Sequence, residues 1–299
     1  MGADGVKVLS PDTDLFEPKF LYYFLLNRPI EAKGYSRHYR YLKEEKILHP
    51  PLKTQNKIVE ILDKVDILQK KRLEADEKTG RILEATFVKM FGDPVANPMG
   101  WDTNIIDNYT SKKATKGSTP TTYGYKWEDE GILFLRSECI EQNGIFLNGS
   151  MHISQEAHNS MERSKVIPGD ILIRITGDVG ISTIFPEYLK EANINQHIAI
   201  VRLKENCDIN PLFLITQLNT KYFRNYFVSI TRGVTHPHLS LQQIRETNII
   251  VPPFSLQNKF AEMVEKLEII RKKQDKSNEH IEEMFQGLVQ KAFRGEIVA

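Results

Sequence analysis

The sequence predicts an α+β fold: a mixed α/β module held between two long helices that pair as a coiled coil, antiparallel by chain geometry, which seats the module at one end of the rod. Three observations lead there. Pro50-Pro51-Leu52-Lys53-Thr54-Gln55-Asn56-Lys57-Ile58 recurs as Pro252-Pro253-Phe254-Ser255-Leu256-Gln257-Asn258-Lys259-Phe260, an offset of 202 residues. The same offset carries on without a gap through Glu60/Glu262, Lys64/Lys266, Lys71/Lys273, Lys89/Lys291 and Phe91/Phe293, and neither 54–91 nor 255–294 contains a proline. Between the two copies, short β-branched runs punctuated by Gly and Pro read as strands.

Composition sets the outer limits. A chain of 299 residues with 40% hydrophobic and 26% charged side chains and a net charge of +1 is ordinary for a soluble protein of about two domains. That balance excludes a uniformly basic nucleic-acid coat and an acidic disordered tail. The longest apolar run, Phe20 to Leu26, falls far short of the roughly 20 residues that span a bilayer. The opening Met1-Gly2-Ala3-Asp4 lacks the basic-then-apolar pattern of a signal peptide. Cys139 and Cys207 are too few for a disulfide framework or a four-thiolate zinc site. The expectation is a cytoplasmic protein with no membrane contact.

Taken in order, residues 1–49 echo the end of the central module. Val8…Pro18-Lys19-Phe20-Leu21 answers Val201…Pro211-Leu212-Phe213-Leu214 at an offset of 193, and Gly34 to His38 sit where Gly233 to Pro237 sit. This first segment is therefore the tail of a copy whose body is missing. Residues 50–92 form the first long helix. Pro50-Pro51 blocks helix upstream and sets φ for a start just after it. Apolar residues then recur at three- and four-residue steps: Ile58, Ile61/Leu62, Val65, Leu68, then Ile82/Leu83, Phe87 and Phe91. The second helix, 254–299, repeats the stripe with Phe260, Val264, Leu267, Ile270, Ile281, Met284/Phe285, Leu288 and Phe293. Such a narrow stripe is the coiled-coil kind, and about 38 residues make a rod of roughly 57 Å. Ile58, Leu62 and Val65 of the first helix and Phe260, Val264, Leu267, Ile281 and Leu288 of the second are the expected interface. Mid-helix the stripe turns polar, at Gln69, Arg72, Asp76 and Thr79 and at Gln274, Ser277 and Asn278. Buried polar layers of this kind fix register at some cost in stability.

Residues 93–253 read as the α/β module, with strands at 132–136, 171–175 and 198–202 and a helix over 211–227. Its 15 Lys/Arg against 17 Asp/Glu count against nucleic acid, but the charge is unevenly spread. Residues 108–127 and 209–245 hold no acidic side chain, yet carry Lys112, Lys113, Lys116 and Lys126, then Lys221, Arg224, Arg232 and Arg245. Both stretches are also rich in Gly, Ser, Thr, Tyr and His, residues that donate to phosphates and base edges. Brought together, two such loops make a local basic footprint.

Catalytic patterns are weak. Val251-Pro252-Pro253-Phe254 is one residue from the Asn/Asp-Pro-Pro-Tyr/Phe motif of amino-methyltransferases, but valine cannot hydrogen-bond an exocyclic amine, and the pair recurs as Pro50-Pro51. No G-x-x-x-x-G-K-S/T phosphate loop is present, and the histidines show no metal-ligand spacing with cysteines. The chain reads as a non-catalytic reader.

Several stretches together resemble the specificity subunit of type I restriction–modification systems: Lys116-Gly117-Ser118-Thr119-Pro120, Phe134-Leu135-Arg136-Ser137, Pro168-Gly169-Asp170-Ile171-Leu172-Ile173, Ile194-Asn195-Gln196-His197-Ile198-Ala199, Pro252-Pro253-Phe254-Ser255-Leu256-Gln257 and Leu288 to Gly295. The resemblance implies target recognition domains that each read half of a split DNA sequence, and conserved helices that set the distance between them. It also implies modification (methyltransferase) subunits that bind S-adenosylmethionine and restriction subunits that use ATP and Mg²⁺, so the cofactors belong to the partners and none to this chain. This sequence is half-size for the pattern: one complete recognition domain, 93–253, and the C-terminal stub of another. A homodimer through the long helices would restore two domains. The expected DNA contacts are Lys116, Thr119, Arg136, Arg174, Arg232, Thr235, His236 and His238. The alternative is a coiled-coil decoy that binds modification subunits without reading DNA.

Overall fold

The computed structural model describes residues 9–28, 39–231, 237–294 and 296. Packing divides the chain into two compact units, Met1–Thr79 with Ile269–Ala299, and Gly80–Glu268. These units cut across the four segments read from the sequence, because each long helix buries its two halves in different cores.

The first unit holds α1 (Pro18–Leu26), α2 (Tyr39–Leu42), the leading part of α3 (Leu52–Phe91) and, from the end of the chain, the trailing part of a second 40-residue helix, Phe254–Phe293. Its core joins Phe20 and Tyr23 of α1, Ile58, Val59, Leu62 and Val65 of α3, and Phe285, Val289 and Ala292 of the last helix, with Ile281 and Leu288 partly buried against them. Phe293 lies 5.3 Å from both Phe20 and Phe24, ring centre to ring centre. Beyond this core the seam between the long helices is polar. Gln69 Nε2 donates to Glu282 Oε2 (2.8 Å), Asn278 Nδ2 to Asp76 Oδ2 (3.1 Å) and Gln274 Nε2 to Thr79 Oγ1 (3.3 Å). Partner numbers fall as α3 numbers rise, so the helices run antiparallel here and the two polar zones meet.

Details of the stripe differ from the sequence reading. Leu68 and Ile270 are exposed (46% each), because an alternating three–four step from Val65 leads to Gln69 and Arg72 and leaves Leu68 off the seam. Ser277 is likewise exposed, its neighbour Asn278 taking the inward position, and Leu267 is only half-buried.

The second unit is the α/β module. Its strands are β1 (Thr103–Ile105), β2 (Thr115–Lys116), β3 (Ile132–Leu135), β4 (Ile140–Glu141), β5 (Gly144–Ile145), β6 (Met151–Ile153), β7 (Lys165–Val166), β8 (Ile171–Arg174), β9 (Ser182–Ile184), β10 (Ala192–Ile194), β11 (Ile198–Val201) and β12 (Asn248–Ile250). Short helices α4 (Gln155–Ser160), α5 (Pro211–Asn219), α6 (Lys221–Ile230) and α7 (Leu241–Arg245) precede α8, the Phe254–Phe293 helix. Two four-stranded sheets form, ordered β6-β3-β10-β7 and β2-β11-β8-β9; β1–β12 and β4–β5 are separate pairs. β3 and β10 run parallel, and β11 pairs antiparallel with β2 and β8.

The runs Ile171-Leu172-Ile173 and Ile198-Ala199-Ile200-Val201 are apolar on both faces because both faces are covered. Ile171, Ile173, Ala199 and Val201 enter a core with Phe87, Phe91, Phe213, Phe223, Phe227, Phe260 and Val264. The alternate residues Leu172, Ile198 and Ile200 pack with Leu135, Ala192 and Ile194 of the other sheet. The helix expected over 211–227 is instead α5 and α6. Thr220 breaks it, with extended backbone (ψ 148°) and a side chain that accepts from Phe223 N.

Each unit contains the same fastening at the start of its long helix. In α3, Gln55 Nε2 donates to the carbonyls of Leu15 and Pro50 (2.8 Å each) and its Oε1 accepts from Glu17 N (2.8 Å). In α8, Gln257 Nε2 donates to the carbonyls of Asp208 (3.1 Å) and Pro252 (2.8 Å), and its Oε1 accepts from Asn210 N (2.9 Å). Glu17 and Asn210 are themselves the N-caps of α1 and α5. Both glutamines are fully buried. The duplicated sequence thus encodes a duplicated joint, three hydrogen bonds deep.

Candidate nucleic-acid interface

Residues expected to meet DNA gather where strands of the second unit end. Lys116 closes β2, opposite Ala199. The chain then passes so close to the β10–β11 turn that a Cβ on Gly117 would sit 1.8 Å from the Ile194 carbonyl oxygen; only glycine fits there. Two residues on, Thr119 Oγ1 donates to Gln196 Oε1 (2.7 Å), and Gln196 Nε2 lies 3.1 Å from His197 Nε2. His197 is fixed by its backbone, its N–H donating to Asn195 Oδ1 (3.1 Å) and its carbonyl accepting from Ile175 N (2.9 Å). Burial, with the charges of His238 and Lys116, pushes the His197 imidazole below its ordinary value against a weaker pull from Glu138. This favours the neutral ring, whose tautomer decides which nitrogen donates. His238 bridges to Thr176 next to Ile175 and is exposed.

Arg136 follows β3 directly. It is exposed, with Nη2 2.9 Å from Glu138 Oε1. The β3 and β10 ends are tied by Asn195 N donating to the Leu135 carbonyl (3.1 Å), which sets Arg136 beside the 195–197 turn. Arg174 closes β8 opposite Ile198. It is half-buried, and its ion pairs among the described residues are long, 3.8 Å to both Glu141 and Asp178. Arg224 of α6 shares those acids: burial lowers its affinity for the proton, Asp178 and Glu141 oppose this, and Arg174 adds to it. Among the described residues, Arg174 Nε and Arg224 Nη1 are buried without a hydrogen-bond partner. The two arginines thus feel each other's charge and share the field of Glu141 and Asp178, while their unpartnered nitrogens are enclosed by protein.

Lys116, Thr119, Arg136, Arg174 and His238 are therefore brought to one rim of strand ends. Arg232, Thr235 and His236 lie outside the described residues. Sequence reasoning missed Gln196, His197 and Arg224 as members. The first two stand inside the family-like run Ile194 to Ala199, and Arg224 inside the acid-free stretch 209–245, so each carried a signal without a position. The Val251-Pro252-Pro253-Phe254 segment lines an open cleft of about 490 Å³ with Trp101, Asn104 and Tyr109, and Gln257 holds the Pro252 carbonyl as a helix entry. No group of three or more His, Cys, Asp or Glu among the described residues is placed to hold a metal ion.

The family model described as Type I restriction modification DNA specificity domain matches residues 1–78 and 111–283. This chain belongs to that family. Two curated relatives are the Type I restriction enzyme EcoBI specificity subunit of Escherichia coli, 27% identical over 211 residues, and the MjaIX specificity subunit of Methanocaldococcus jannaschii, 25% identical over 256 residues. The alignments take in 68% and 76% of this chain but 43% and 54% of those proteins, so the specificity-domain chain spans about half the length of the curated relatives it matches. Its fold is shared with a structure solved for complex assembly and conformational transition of the type I R-M system (TM-score 0.57, 18% identity, 95% of this chain and 73% of that one). It is also shared with the type I restriction–modification S subunit from M. genitalium (TM-score 0.51, 16% identity, 81% and 61%). Among the described residues no helix is long and apolar enough to cross a membrane.

Proposed function

We propose that this chain is a DNA sequence-specificity subunit of a type I restriction–modification complex. Its rim of strand ends reads one half-site of a bipartite target, and its long helices carry the methyltransferase subunits. The observation that supports this most is the convergence of Lys116, Thr119, Arg136, Arg174 and His238 on one rim of a specificity-family fold. In this reading the chain is cytoplasmic, has no catalytic group and needs no cofactor of its own. S-adenosylmethionine belongs to the methyltransferase subunits, and ATP and Mg²⁺ to the restriction subunits. The rim occurs once among the described residues, so a two-fold dimer through the long helices presents two rims to a symmetric split site.

The test is a mobility shift of the purified chain on a random-sequence duplex pool, with and without a methyltransferase subunit. Enrichment of one half-site sequence is expected. The net charge of −2 over 93–251 (15 basic against 17 acidic residues) favours a second reading, a decoy that binds methyltransferase subunits without DNA. Binding of the subunit with no sequence enriched in either arm would establish the decoy instead.

A further inference from the structure

The acid-free stretch 108–127 does not act as one basic loop. Lys116 goes to the rim, but Lys112 and Lys113 precede β2 and face the other end of the β2–β11–β8 sheet. There they line a cavity of about 250 Å³ with Arg163, Lys165 and Arg202, beside the carboxylate of Glu162 and the apolar side chains of Ile167 and Ile200. Its charge does not cancel. Arg202 is committed through Nε and Nη2 to the buried Asp170 (2.6 and 2.7 Å), and Lys165 to Glu162 (2.7 Å). Lys112, Lys113 and Arg163 form no ion pair among the described residues, leaving three positive charges over the opening.

The walls are built firmly. Asp170 Oδ2 also accepts from Ile167 N (2.9 Å), and Thr115 Oγ1 donates to the Arg163 carbonyl (3.1 Å), tying the turn that carries Arg163 to strand β2. The bond from Asp170 raises the proton affinity of Arg202 further and holds its guanidinium against the wall. Long cationic side chains around an opening of this size suit a tetrahedral oxyanion, which charge alone can hold without a base-shaped slot.

We infer that this cavity is a phosphoryl-binding site, separate from the base-reading rim, that grips the sugar–phosphate backbone of the duplex. The inference rests on the DNA-reading proposal and adds a division of labour to it. The rim selects sequence, and the cavity supplies sequence-independent, salt-sensitive affinity.

The experiment uses the full chain and the variant Lys112→Ala/Lys113→Ala/Arg163→Ala, all exposed positions, with circular dichroism to confirm folding. Anisotropy of a labelled duplex is followed against salt, and inorganic phosphate is titrated calorimetrically into both proteins. Each lost phosphate contact removes about 0.9 from the slope of log affinity against log salt. The variant is therefore expected to lose between one and three such steps while keeping its preference for the selected over the random duplex. An unchanged slope in a wild-type protein that does select a sequence overturns this inference and leaves the DNA reading standing. Phosphate binding lost in the variant with the DNA slope unchanged reassigns the cavity to free phosphate and overturns the backbone assignment. A wild type that selects no sequence defeats the DNA reading itself, and indifference of both probes to the triple substitution eliminates the site.

Discussion

The joints at Gln55 and Gln257 make the same three hydrogen bonds at the start of the same helix, yet what surrounds them differs. The Gln55 joint holds α1 against α3 over a core of Phe20, Ile58 and Leu62. The Gln257 joint holds α5 against α8, and α5 in turn packs on a sheet with Phe213, Phe260, Phe87 and Phe91 in mutual ring contact (Phe87–Phe213 5.5 Å, Phe91–Phe213 4.9 Å, Phe91–Phe260 5.5 Å). The joint is thus local: it survives unchanged whether it carries one helix or a whole α/β module. A fastening of that kind lets the module vary while its attachment to the long helix stays fixed.

The largest effect that sharpens this comparison is loss of the aromatic hub. Phe260→Ala is expected to cost about 3–5 kcal/mol and Ile58→Val about 0.5–1.5 kcal/mol. Hydrogen exchange read peptide by peptide should show the first opening β8 and β11 and the second confined to α1 and α3. Next come the glutamines. Gln257→Leu and Gln55→Leu each remove three hydrogen bonds at the entry of a long helix, and each is expected to cost about 2–4 kcal/mol. Chemical denaturation showing one costly and the other neutral would break the equivalence of the two joints. Smaller, and confined to the module, is Arg136→Ala. It should reduce discrimination between half-sites by about 1–3 kcal/mol, measured by competition with random duplex, with stability unchanged.

The smallest effect belongs to the polar seam. Burial alone would raise the Asp76 carboxyl, but hydrogen bonds from Arg72 and Asn278 and the charges of Arg72 and Arg271 outweigh it and hold it below its ordinary value. Hydrogen bonds from Lys19 and Tyr23 do the same for Asp63. A carboxylate depressed in the folded state contributes stability that is complete above its unfolded value, about 4, and lost as pH falls through the folded one. The first unit should therefore weaken below about pH 4, and Asp76→Asn should flatten that loss in urea titrations across acidic pH.

The long helices were legible because their periodicity and proline punctuation are local properties. The strands at 132–135, 171–174 and 198–201 were legible for the same reason. What the sequence could not place was anything set by strand pairing. Gln196 and His197 join Thr119 only because β2 lies against β11, and Arg224 nears Arg174 only once α6 packs on the sheet. Lys112 and Lys116 look like one basic loop in the sequence, yet they face opposite ends of a strand two residues long. The seam shows the limit from the other side: hydrophobicity nominated Leu68 and Ile270, but helical geometry passes through Gln69 and Arg271.

The most direct test of the proposal that this chain selects DNA is methylome sequencing of cells that carry it with a type I methyltransferase subunit. The account predicts adenine methylation at a single split motif, whose half-site specificity relaxes with Arg136→Ala. Methylation absent, or a motif indifferent to whether this chain is present, would contradict it.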